Sequence, residues 1–374
     1  MTKSDDKRVP ALRFKGFTNE WEQRKLENLV LVNSGKDYKN LHDGNIPVYG
    51  TGGYMLSVDH ALSHEDAIGI GRKGTIDRPQ YLKAPFWTVD TLFFLTAREN
   101  NNLKYLYFLS QTIKWKKYDE STGLPSLSKK TINNILIKKP TFNEQNKIGI
   151  LLSQIDHLVE LQQRKLKDYS LIKKKLSNIF FNDTIVNQNN FLFKHRVKAS
   201  QLFISYSKKG FAHLPVLSAS QDKGMIFREA ESKNILYAHN NLTNYKLVEP
   251  DDFVVHLRSF QGGFAYSDKT GIASPAYTIF KFKDDVDYNL VYWKEKFKSY
   301  NFIQLLKKVT YGVRDGRSIS FSDFLSLYLT FPDIEIQNKI GSALSKLDTQ
   351  ISDQKKIIKK LENVKQFLLQ NMFI

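Results

Sequence analysis

The feature that most constrains this chain is a stretch of about 40 residues that occurs twice. The sequence Gln-Asn-Lys-Ile-Gly stands at 145–149 and again at 337–341, so a shift of 192 positions superimposes the two copies. The same shift places Pro140 on Pro332. An internal repeat with so long a period predicts that the chain contains two similar structural units.

Both copies carry core-facing positions at alternating spacings of four and three residues, and neither contains an internal proline. A 3.5-residue repeat kept over this length is typical of a coiled-coil seam. Two unrelated Lys- and Leu-rich helices could also look alike, but they would not share one motif at one place. The predicted seam positions are Ile148, Leu152, Ile155, Val159, Gln162 and Leu166, then Ile340, Leu344, Leu347, Ile351, Gln354 and Ile358, and the spacing continues to Phe180 and Met372.

The connectivity predicts how the two helices pair. The first helix runs into the second half of the chain and the second helix leaves that half, so the two should lie antiparallel. Gln162 and Gln354 occupy equivalent seam positions, and a buried polar layer can fix the register of a coiled coil at some cost in stability. We predict that these glutamines face each other, one layer away from full overlap of the helices. The alternative is that both lie at a frayed or exposed edge.

Two β-rich segments surround the helices. Short strand-like runs such as 67–70 and 92–95 are separated by Gly-rich turns, and a helical stretch at 101–118 follows them. The second half repeats this order with a helical stretch at 288–308, and residues 21–26 are predicted to start a short helix. The predicted fold is α+β, with a pseudo-twofold internal repeat. Its parts are similar globular domains at 1–143 and 182–334, separated by long helices at 144–181 and 335–374.

The composition excludes several classes of protein. The chain has no cysteine, which excludes disulfides and cysteine-ligated zinc and fits a reducing compartment. The first residues contain no apolar signal segment, and no apolar run approaches the length of a membrane span. We therefore expect a cytoplasmic protein that does not enter a membrane.

The charge is strongly positive, with 56 basic and 38 acidic residues and a net charge of +18. It is spread as +7 over residues 1–143, +3 over 144–181, +5 over 182–334 and +3 over 335–374. Such a distribution suits a protein that contacts a polyanion with several surfaces, and double-stranded DNA is the first candidate. The alternative is that the charge only keeps the protein soluble.

A catalytic centre is not expected. Residues 69–74 match the dinucleotide fingerprint Gly-x-Gly-x-x-Gly, but two prolines follow where the phosphate-binding helix should begin. The sequence contains no P-loop, His-Glu-x-x-His or Gly-x-Ser-x-Gly motif, and its eight histidines show no metal-ligand spacing. We expect no cofactor and no metal site, and we interpret His213, His239 and His256 as ordinary core or surface residues.

The remaining chemistry is suited to DNA. Gly-rich loops bring backbone amides close to phosphates, while Arg, Lys, Gln, Ser and Thr supply donors for base edges. For any single residue, the alternative is a solvated loop side chain or a turn-forming glycine. The candidates in the first domain are Tyr49, Thr51, Gly52, Gly53, Arg72, Lys73, Ser126, Ser128 and Lys129, and those in the second are Ser218, Ser220, Gln221, Lys223, Arg258, Gln261, Arg314, Arg317 and Ser320.

Several stretches resemble the specificity (S) subunit of type I restriction-modification systems. They are RFKGFTNEWEQRKL at 13–26, APFWTVDTLFF at 84–94, GIASPAYTIF at 271–280 and the Pro-x-x-x-x-Gln-x-Lys-Ile-Gly start of each long helix. The first helix carries Glu144 before its glutamine, as the family prefers, whereas the second has Ile336. We expect this difference to loosen one capping contact.

The resemblance implies a non-catalytic subunit of a multisubunit restriction endonuclease and adenine methyltransferase. In that family each globular unit is a target recognition domain, and the pair reads an asymmetric, two-part DNA sequence with a gap of unspecified bases. The helices bind methyltransferase (M) subunits, here expected to be two, and restriction (R) subunits join them to cleave. Equivalent grooves on one face of DNA recur about every 10 base pairs, so if each domain reads about three or four base pairs, the expected gap between the half-sites is about 6–7 base pairs.

Two other functions compete with this interpretation. A coiled-coil scaffold could tether proteins while its basic domains bind nucleic acid without sequence preference, and a sharp, salt-dependent preference for one DNA sequence would distinguish the two. A self-contained methyltransferase is disfavoured because its cofactor and catalytic motifs are missing.

Overall fold

The computed structural model describes residues 9–181, 195–220, 223–230, 239–255, 264–311 and 318–374. It divides into two compact units, of which the first comprises Met1–Arg164 with Gln354–Ile374 and the second comprises Lys165–Asp353. Each unit thus contains one β-rich domain, the first half of one long helix and the second half of the other.

The long helices span Phe142–Phe180 and Ile334–Asn371. Every predicted seam position on them is buried or half-buried. Lys365 forms an ion pair with Asp156 in the first unit, and Lys173 forms one with Asp348 in the second, each at 2.7 Å. The 192-position shift converts one pair into the other, so the antiparallel pairing and the internal repeat are confirmed.

The two glutamines of the seam meet in the first unit. The Gln354 amide, which is 3% exposed, donates to Oε1 of Gln162 at 2.5 Å and approaches the Gln162 carbonyl at 3.3 Å. The predicted contact between these side chains is therefore present, and it lies at the position that the repeat maps onto itself.

The domain of the first unit contains nine strands within its described residues. They are β1 (Glu22–Lys25), β2 (Val30–Ser34), β3 (Asp43–Gly50), β4 (Gly53–Val58), β5 (Ala67–Gly71), β6 (Gln80–Leu82), β7 (Trp87–Thr88), β8 (Leu92–Ala97) and β9 (Leu136–Lys139). A four-stranded antiparallel sheet has the order β2-β8-β5-β6, a second sheet has the order β4-β3-β7, and β1 pairs with β9.

The domain of the second unit repeats the main sheet and the outer pair. The strands of its described residues are β10 (His195–Lys198), β11 (Phe203–Tyr206), β12 (Leu217–Ser220), β13 (Gly224–Phe227), β14 (Lys246–Val248), β15 (Phe253–Val255), β16 (Ala265–Tyr266), β17 (Gly271–Ala273), β18 (Thr278–Phe282), β19 (Thr310–Tyr311), β20 (Ser318–Ile319) and β21 (Tyr328–Phe331). The four-stranded sheet has the order β11-β18-β15-β16, and β10 pairs with β21 as β1 pairs with β9. Further two-stranded pairs are β12-β13, β14-β17 and β19-β20.

Shorter helices complete each domain. The first unit has Leu103–Thr112 and Lys129–Asn134 with 3-10 turns at Leu26–Asn28 and Trp115–Tyr118. The second has Ala199–Leu202, Leu290–Lys298, Tyr300–Leu306 and Phe321–Ser326 with 3-10 turns at Arg228–Ala230, His239–Asn244 and Lys307–Val309.

The short helix predicted at 21–26 is wrong. Glu22–Lys25 form a strand that pairs antiparallel with Leu136–Lys139, the last strand before the first long helix. All four strand residues are exposed. Pairing with a neighbour distant in sequence overrides the weak helical preference of this segment.

Each domain packs an aromatic core against the ends of the long helices. In the first unit the ring of Phe373 stacks on Tyr105 at 5.5 Å and contacts Trp21 at 6.5 Å. In the second unit Phe181 packs on Tyr292 at 5.3 Å. The 192-position shift superimposes Phe181 on Phe373, so both helices end in the same way.

The repeated Gln-Asn-Lys-Ile-Gly motif joins each domain to its helix. In the first unit the Gln145 amide accepts from the backbone N–H of Asn102 at 3.0 Å and donates to the carbonyl of Pro140 at 3.1 Å. Asn102 caps its own helix through Tyr105, and its side chain donates to Asn146 at 2.6 Å. One asparagine therefore connects the starts of two helices.

The second unit repeats this junction bond for bond. Gln337 accepts from the N–H of Asn289 at 3.0 Å and donates to the carbonyl of Pro332 at 2.9 Å, and Asn289 donates to Asn338 at 2.7 Å. A Cβ on Gly341 would lie 2.4 Å from the side-chain oxygen of Asn289. Glycine is required there because the two helix starts approach so closely.

Glu144 does not make the capping contact expected of it. Its fully buried carboxylate accepts from Nε and Nη2 of Arg13 at 2.7 and 2.8 Å, in a two-bond ion pair with the N-terminal segment. This contact raises the pKa of Arg13. Ile336, the equivalent residue, packs against the aromatic core of the second unit. The difference between the copies is therefore an ion pair replaced by apolar packing.

Candidate nucleic-acid interface

Three loops of the first unit carry all nine of its predicted DNA contacts. They are the β3–β4 hairpin turn, the loop after β5 and the segment that leads into Lys129–Asn134. The last two are joined because Leu127 donates its N–H to the carbonyl of Arg72 at 2.9 Å and Gly74 donates to Pro125 at 2.8 Å. Lys73 and Ser126 form an isolated β-bridge.

The hairpin turn lies beside these two loops. The amide of Gln80 donates to the carbonyls of Gly50 and Thr51 at 2.9 and 3.3 Å. A Cβ on Gly74 would lie 3.9 Å from the hydroxyl of Thr51, and Gly74 has a φ of +88°, which favours glycine. The turn and the loop after β5 are therefore adjacent parts of one surface.

A shallow cavity of about 390 Å³ opens in this surface. Five of the predicted residues line it together with three others, namely Arg72, Lys73, Ser126, Ser128 and Lys129 with Ser34, Phe93 and Leu127. The cavity thus brings two ammonium groups, one guanidinium and three hydroxyls onto one concave patch. Such a set of donors can bind phosphate oxygens and the acceptor atoms of base edges.

The basic side chains of this patch differ in how they are held. The Arg72 guanidinium lies 5.9 Å from the centre of the Phe93 ring, and Nη1 is 3.5 Å from the carbonyl of Asp90. Neither contact is strong, but both restrict the planar group that can bind guanine through two hydrogen bonds. Lys73 and Lys129 are exposed and suit contacts to phosphate.

Other predicted residues of the first unit have local structural contacts. The Ser128 hydroxyl caps the helix Lys129–Asn134 by accepting from the N–H of Thr131, and it donates to Glu120 at 2.8 Å. Hydrogen bonds from Thr131 and Ser128 lower the pKa of Glu120. Tyr49 packs edge-on against Tyr54. Gly52 and Gly53 are at the tip of the hairpin, where a Cβ would meet no other atom.

In the second unit three predicted residues lie together on the β12–β13 hairpin. Lys223 is exposed, and its N–H approaches the Ser220 hydroxyl at 3.4 Å. Ser218 is buried and accepts from Nε of Arg228 at 3.1 Å, so its hydroxyl is used to support the hairpin. Ser320 caps the helix Phe321–Ser326 through the N–H of Asp323, as Ser128 caps its helix.

Several predicted residues cannot be placed. Gln221, Arg258, Gln261, Arg314 and Arg317 lie outside the described residues, as do His256 and the side chain of His239. His213 is exposed beside the ring of Phe211. Within the described ranges no three His, Asp or Glu side chains come together as a metal ion would require.

Sequence reasoning missed several residues of the interface. Ser34 and Phe93 line the cavity, and Gln80 holds the hairpin turn in place. All three lie in the sheet β2-β8-β5-β6, where Ser34 pairs with Phe93 and Gln80 is on the outer strand β6, but they are far apart in the chain.

The sequence matches the type I restriction modification DNA specificity domain over residues 18–168 and again over 195–363. The fold is similar to that of the type I restriction-modification system S subunit from M. genitalium, with a TM-score of 0.68 at 14% identity over 98% of this chain and 99% of that one. It is also similar to a chain from a study of complex assembly and conformational transition of the type I R-M system, with a TM-score of 0.53 at 12% identity over 94% and 97%. No curated protein matches. Among the helices of the described residues, none is both long and apolar enough to cross a membrane.

Proposed function

Because this chain belongs to the family of type I restriction-modification DNA specificity domains, we propose that it is the non-catalytic subunit that selects the DNA sequence for a restriction and methylation complex. The family match in two segments supports this, since each segment covers one β-rich domain and most of the long helix that follows it. Each domain binds one half of an asymmetric site, and about 6–7 unspecified base pairs separate the halves.

The observation that carries the proposal is the concave basic patch of the first unit. It collects donors from the loop after β5, the segment 126–129 and the end of β2 next to one sheet, as a base-reading surface requires. In the second unit, we assign the corresponding DNA contacts to the β12–β13 hairpin with Lys223 and to the five candidate residues beyond the described ranges. The domains at 1–143 and 182–334 therefore act as two different readers of double-stranded DNA.

The test is methylome sequencing of the host with and without this chain. Loss of adenine methylation at one gapped, two-part motif is the expected result, and it would give both half-sites and the gap. If a methyltransferase partner copurifies but no motif disappears, sequence recognition is refuted. The scaffold alternative predicts that result, with DNA binding that has no sequence preference.

Two variants separate base reading from phosphate binding in the first unit. Arg72→Ala should relax the preference at one base pair of one half-site, with a loss of about 1–3 kcal/mol for that base. Lys129→Ala should weaken binding to all sequences alike and reduce the salt dependence by about one phosphate contact. An unchanged motif in Arg72→Ala with uniformly weaker binding would assign Arg72 to phosphate instead.

We also propose that the long helices recruit two methyltransferase subunits, which restriction subunits then join. Each unit exposes an apolar pair seven residues apart on one helix: Ile357 and Val364 in the first, and Ile172 and Ile179 in the second. Residues seven apart share one helix face, and the repeat superimposes Ile172 on Val364. The other member of each pair has a polar counterpart, Asn371 for Ile179 and Lys165 for Ile357, so the two faces coincide at one position and are offset by seven residues. One exposed apolar face on each unit suits one copy of a partner per unit.

Charged substitutions test the recruitment. Ile172→Asp and Val364→Asp should each remove one methyltransferase from the complex, and the double variant should remove both, measured by native mass spectrometry. The matched control is Ser345→Asp, at an exposed position of the second long helix. Retention of both methyltransferases by the double variant would place the recruitment elsewhere.

A further inference from the structure

A cavity in the second unit is lined by described residues that are not among the predicted DNA contacts. It has a volume of about 690 Å³, which is within the range of small-molecule pockets. It lies between the second half of the first long helix and the junction of the helices Leu290–Lys298 and Tyr300–Leu306. Its lining includes Lys174, Lys298 and Tyr300, with Ser177, Phe181 and Ile351.

The described lining of the cavity contains three lysines and one carboxylate, so its net charge is positive. Glu295, a carboxylate of the lining, is already paired with Lys173 at 3.1 Å. Lys173 also binds Asp348, and these partners raise its pKa although burial alone would lower it. Within the described part of the chain, neither Lys174 nor Lys298 has a carboxylate at ion-pair distance.

Partial burial disfavours the charged form of Lys298. It is half-buried, and burial lowers the pKa of its ammonium group although the carboxylates of Glu295 and Asp348 act in the opposite direction. A charge held in this way gains stability when an anion joins it. The two ammonium groups and the hydroxyl of Ser177 can all donate to phosphate oxygens.

The lining of the cavity also contains large apolar and aromatic side chains. Tyr300 is the most exposed of the protein's large hydrophobic side chains in the described residues, at 69%. Phe181 and Ile351 lie in the same lining. An aromatic ring exposed beside two lysines is a feature of surfaces on which bases stack while phosphate is bound by cations.

The comparison of the two repeats shows that this chemistry occurs in one copy. The 192-position shift places Gln366 on Lys174 and Leu369 on Ser177. Aligning the capping residues Asn102 and Asn289 places Gln111 at Lys298 and Ile113 at Tyr300. The first copy thus has neither the two lysines nor the tyrosine, so the cavity does not belong to a surface that is used twice.

We propose that this cavity is a binding site for a nucleoside phosphate, with the phosphate between Lys174 and Lys298 and the base against Tyr300. The site is independent of DNA sequence recognition, because its residues lie on the long helix and the helix junction and not on the recognition loops. One such ligand binds per chain.

The test is calorimetric titration of the full chain with AMP, ribose 5-phosphate and adenosine. AMP should bind with one site, and both fragments should bind about tenfold or more weakly, since each lacks one half of the recognition. Glutamine is the residue of the other copy at both lysine positions. Lys174→Gln with Lys298→Gln should weaken AMP binding about tenfold or more, because the phosphate loses both ammonium groups. Tyr300→Ala should weaken the binding of AMP but leave the affinity for ribose 5-phosphate unchanged.

The control is Lys339→Gln with Lys346→Gln, which removes two exposed charges from the second long helix outside the cavity. It should leave AMP binding unchanged, and thermal unfolding should show that all variants are folded. The proposal is overturned if AMP does not bind, if the cavity variant binds it as the control does, or if ribose 5-phosphate binds as tightly as AMP. Binding of a short oligonucleotide without binding of AMP would also overturn it.

Discussion

Replacement of the seam glutamines by leucine tests whether this polar layer trades stability for a unique helix register. The Gln354 amide is nearly inaccessible to solvent and has two acceptors, both on Gln162. Gln162 is half-buried, so its own side chain can reach water. The two single variants should therefore differ, although they remove the same hydrogen bond.

The magnitudes follow from what each variant leaves behind. Gln162→Leu leaves the buried amide of Gln354 with only one long contact, to a carbonyl, which lowers the free energy of unfolding by about 2 kcal/mol. Burial of half of the new leucine raises it by about 1 kcal/mol. Gln354→Leu leaves the side-chain oxygen of Gln162 without its donor, but water can reach that oxygen. The free energy of unfolding should therefore change by no more than about 0.5 kcal/mol. The double variant exchanges about 1–2 kcal/mol of hydrogen bonding for about 2–4 of apolar burial, and it should be about 1–2 kcal/mol more stable than the parent.

The assay is urea unfolding followed by circular dichroism at the helix minimum, read as a double-mutant cycle. The expected coupling between the two positions is about 2 kcal/mol. Gln163→Leu with Gln350→Leu is the matched control, since both residues are exposed on the same helices. The control should change stability by about 0.5 kcal/mol or less and show no coupling.

The same variants test the register. A leucine layer accepts more than one alignment of the helices, whereas the glutamine pair accepts one. Methylome sequencing of a host that carries the double variant should therefore show motifs with the parental gap and with neighbouring gaps. Additive single effects, or a double variant less stable than its parent, would refute the energetic reasoning. A single gap in a more stable double variant would refute the register argument alone.

Two further predictions concern the junction and a buried carboxyl. Gly341→Ala should destabilise the chain by about 1–3 kcal/mol because the new Cβ meets the capping side chain of Asn289, whereas Gly123→Ala, where a Cβ meets nothing, should change stability little in the same urea experiment. Burial raises the pKa of Asp252 to about 6, so the folded state holds this proton more tightly than the unfolded state does, and stability should fall as pH rises from about 4 to 6 and level off above that. In Asp252→Asn the free energy of unfolding should not show this fall, so between pH 4 and pH 7 it should rise by about 3 kcal/mol relative to that of the parent. If the two proteins show parallel curves of stability against pH, Asp252 does not have this effect.

The long helices could be predicted from the sequence because their signal is periodic and local. A seam repeated every 3.5 residues, present twice at one offset, determines helix, pairing and direction together. The strand at Glu22–Lys25 could not be found in this way. Its partner lies more than 100 residues away, and its exposed polar residues carry no alternation. The role of Glu144 was missed for a similar reason, since its partner Arg13 belongs to a segment that no pattern links to the helix.

The junction shows why a repeat can be seen while its purpose is not. Asn102-Leu103-Lys104-Tyr105 and Asn289-Leu290-Val291-Tyr292 are also a repeat, but the offset between them is 187 rather than 192. A search at the offset of the helices therefore passes over the asparagines that the Gln-Asn-Lys-Ile-Gly motif binds. Only the contacts reveal that the two repeats are parts of one joint.

The same difference in offset locates the change that distinguishes the two copies. From the capping asparagine to the capping serine, the first copy spans 26 positions, Asn102 to Ser128, and the second spans 31, Asn289 to Ser320. The longer segment contains the helix Tyr300–Leu306, where the first copy has the 3-10 turn Trp115–Tyr118. Tyr300 begins that helix and lines the cavity of the second unit. Because both ends of the segment are fixed by caps that the copies share, added residues must be accommodated between them. The two copies keep the same capping residues, and only the segment between the caps is longer in the second copy. One copy can therefore acquire a ligand site without disturbing the helix pair that both copies need.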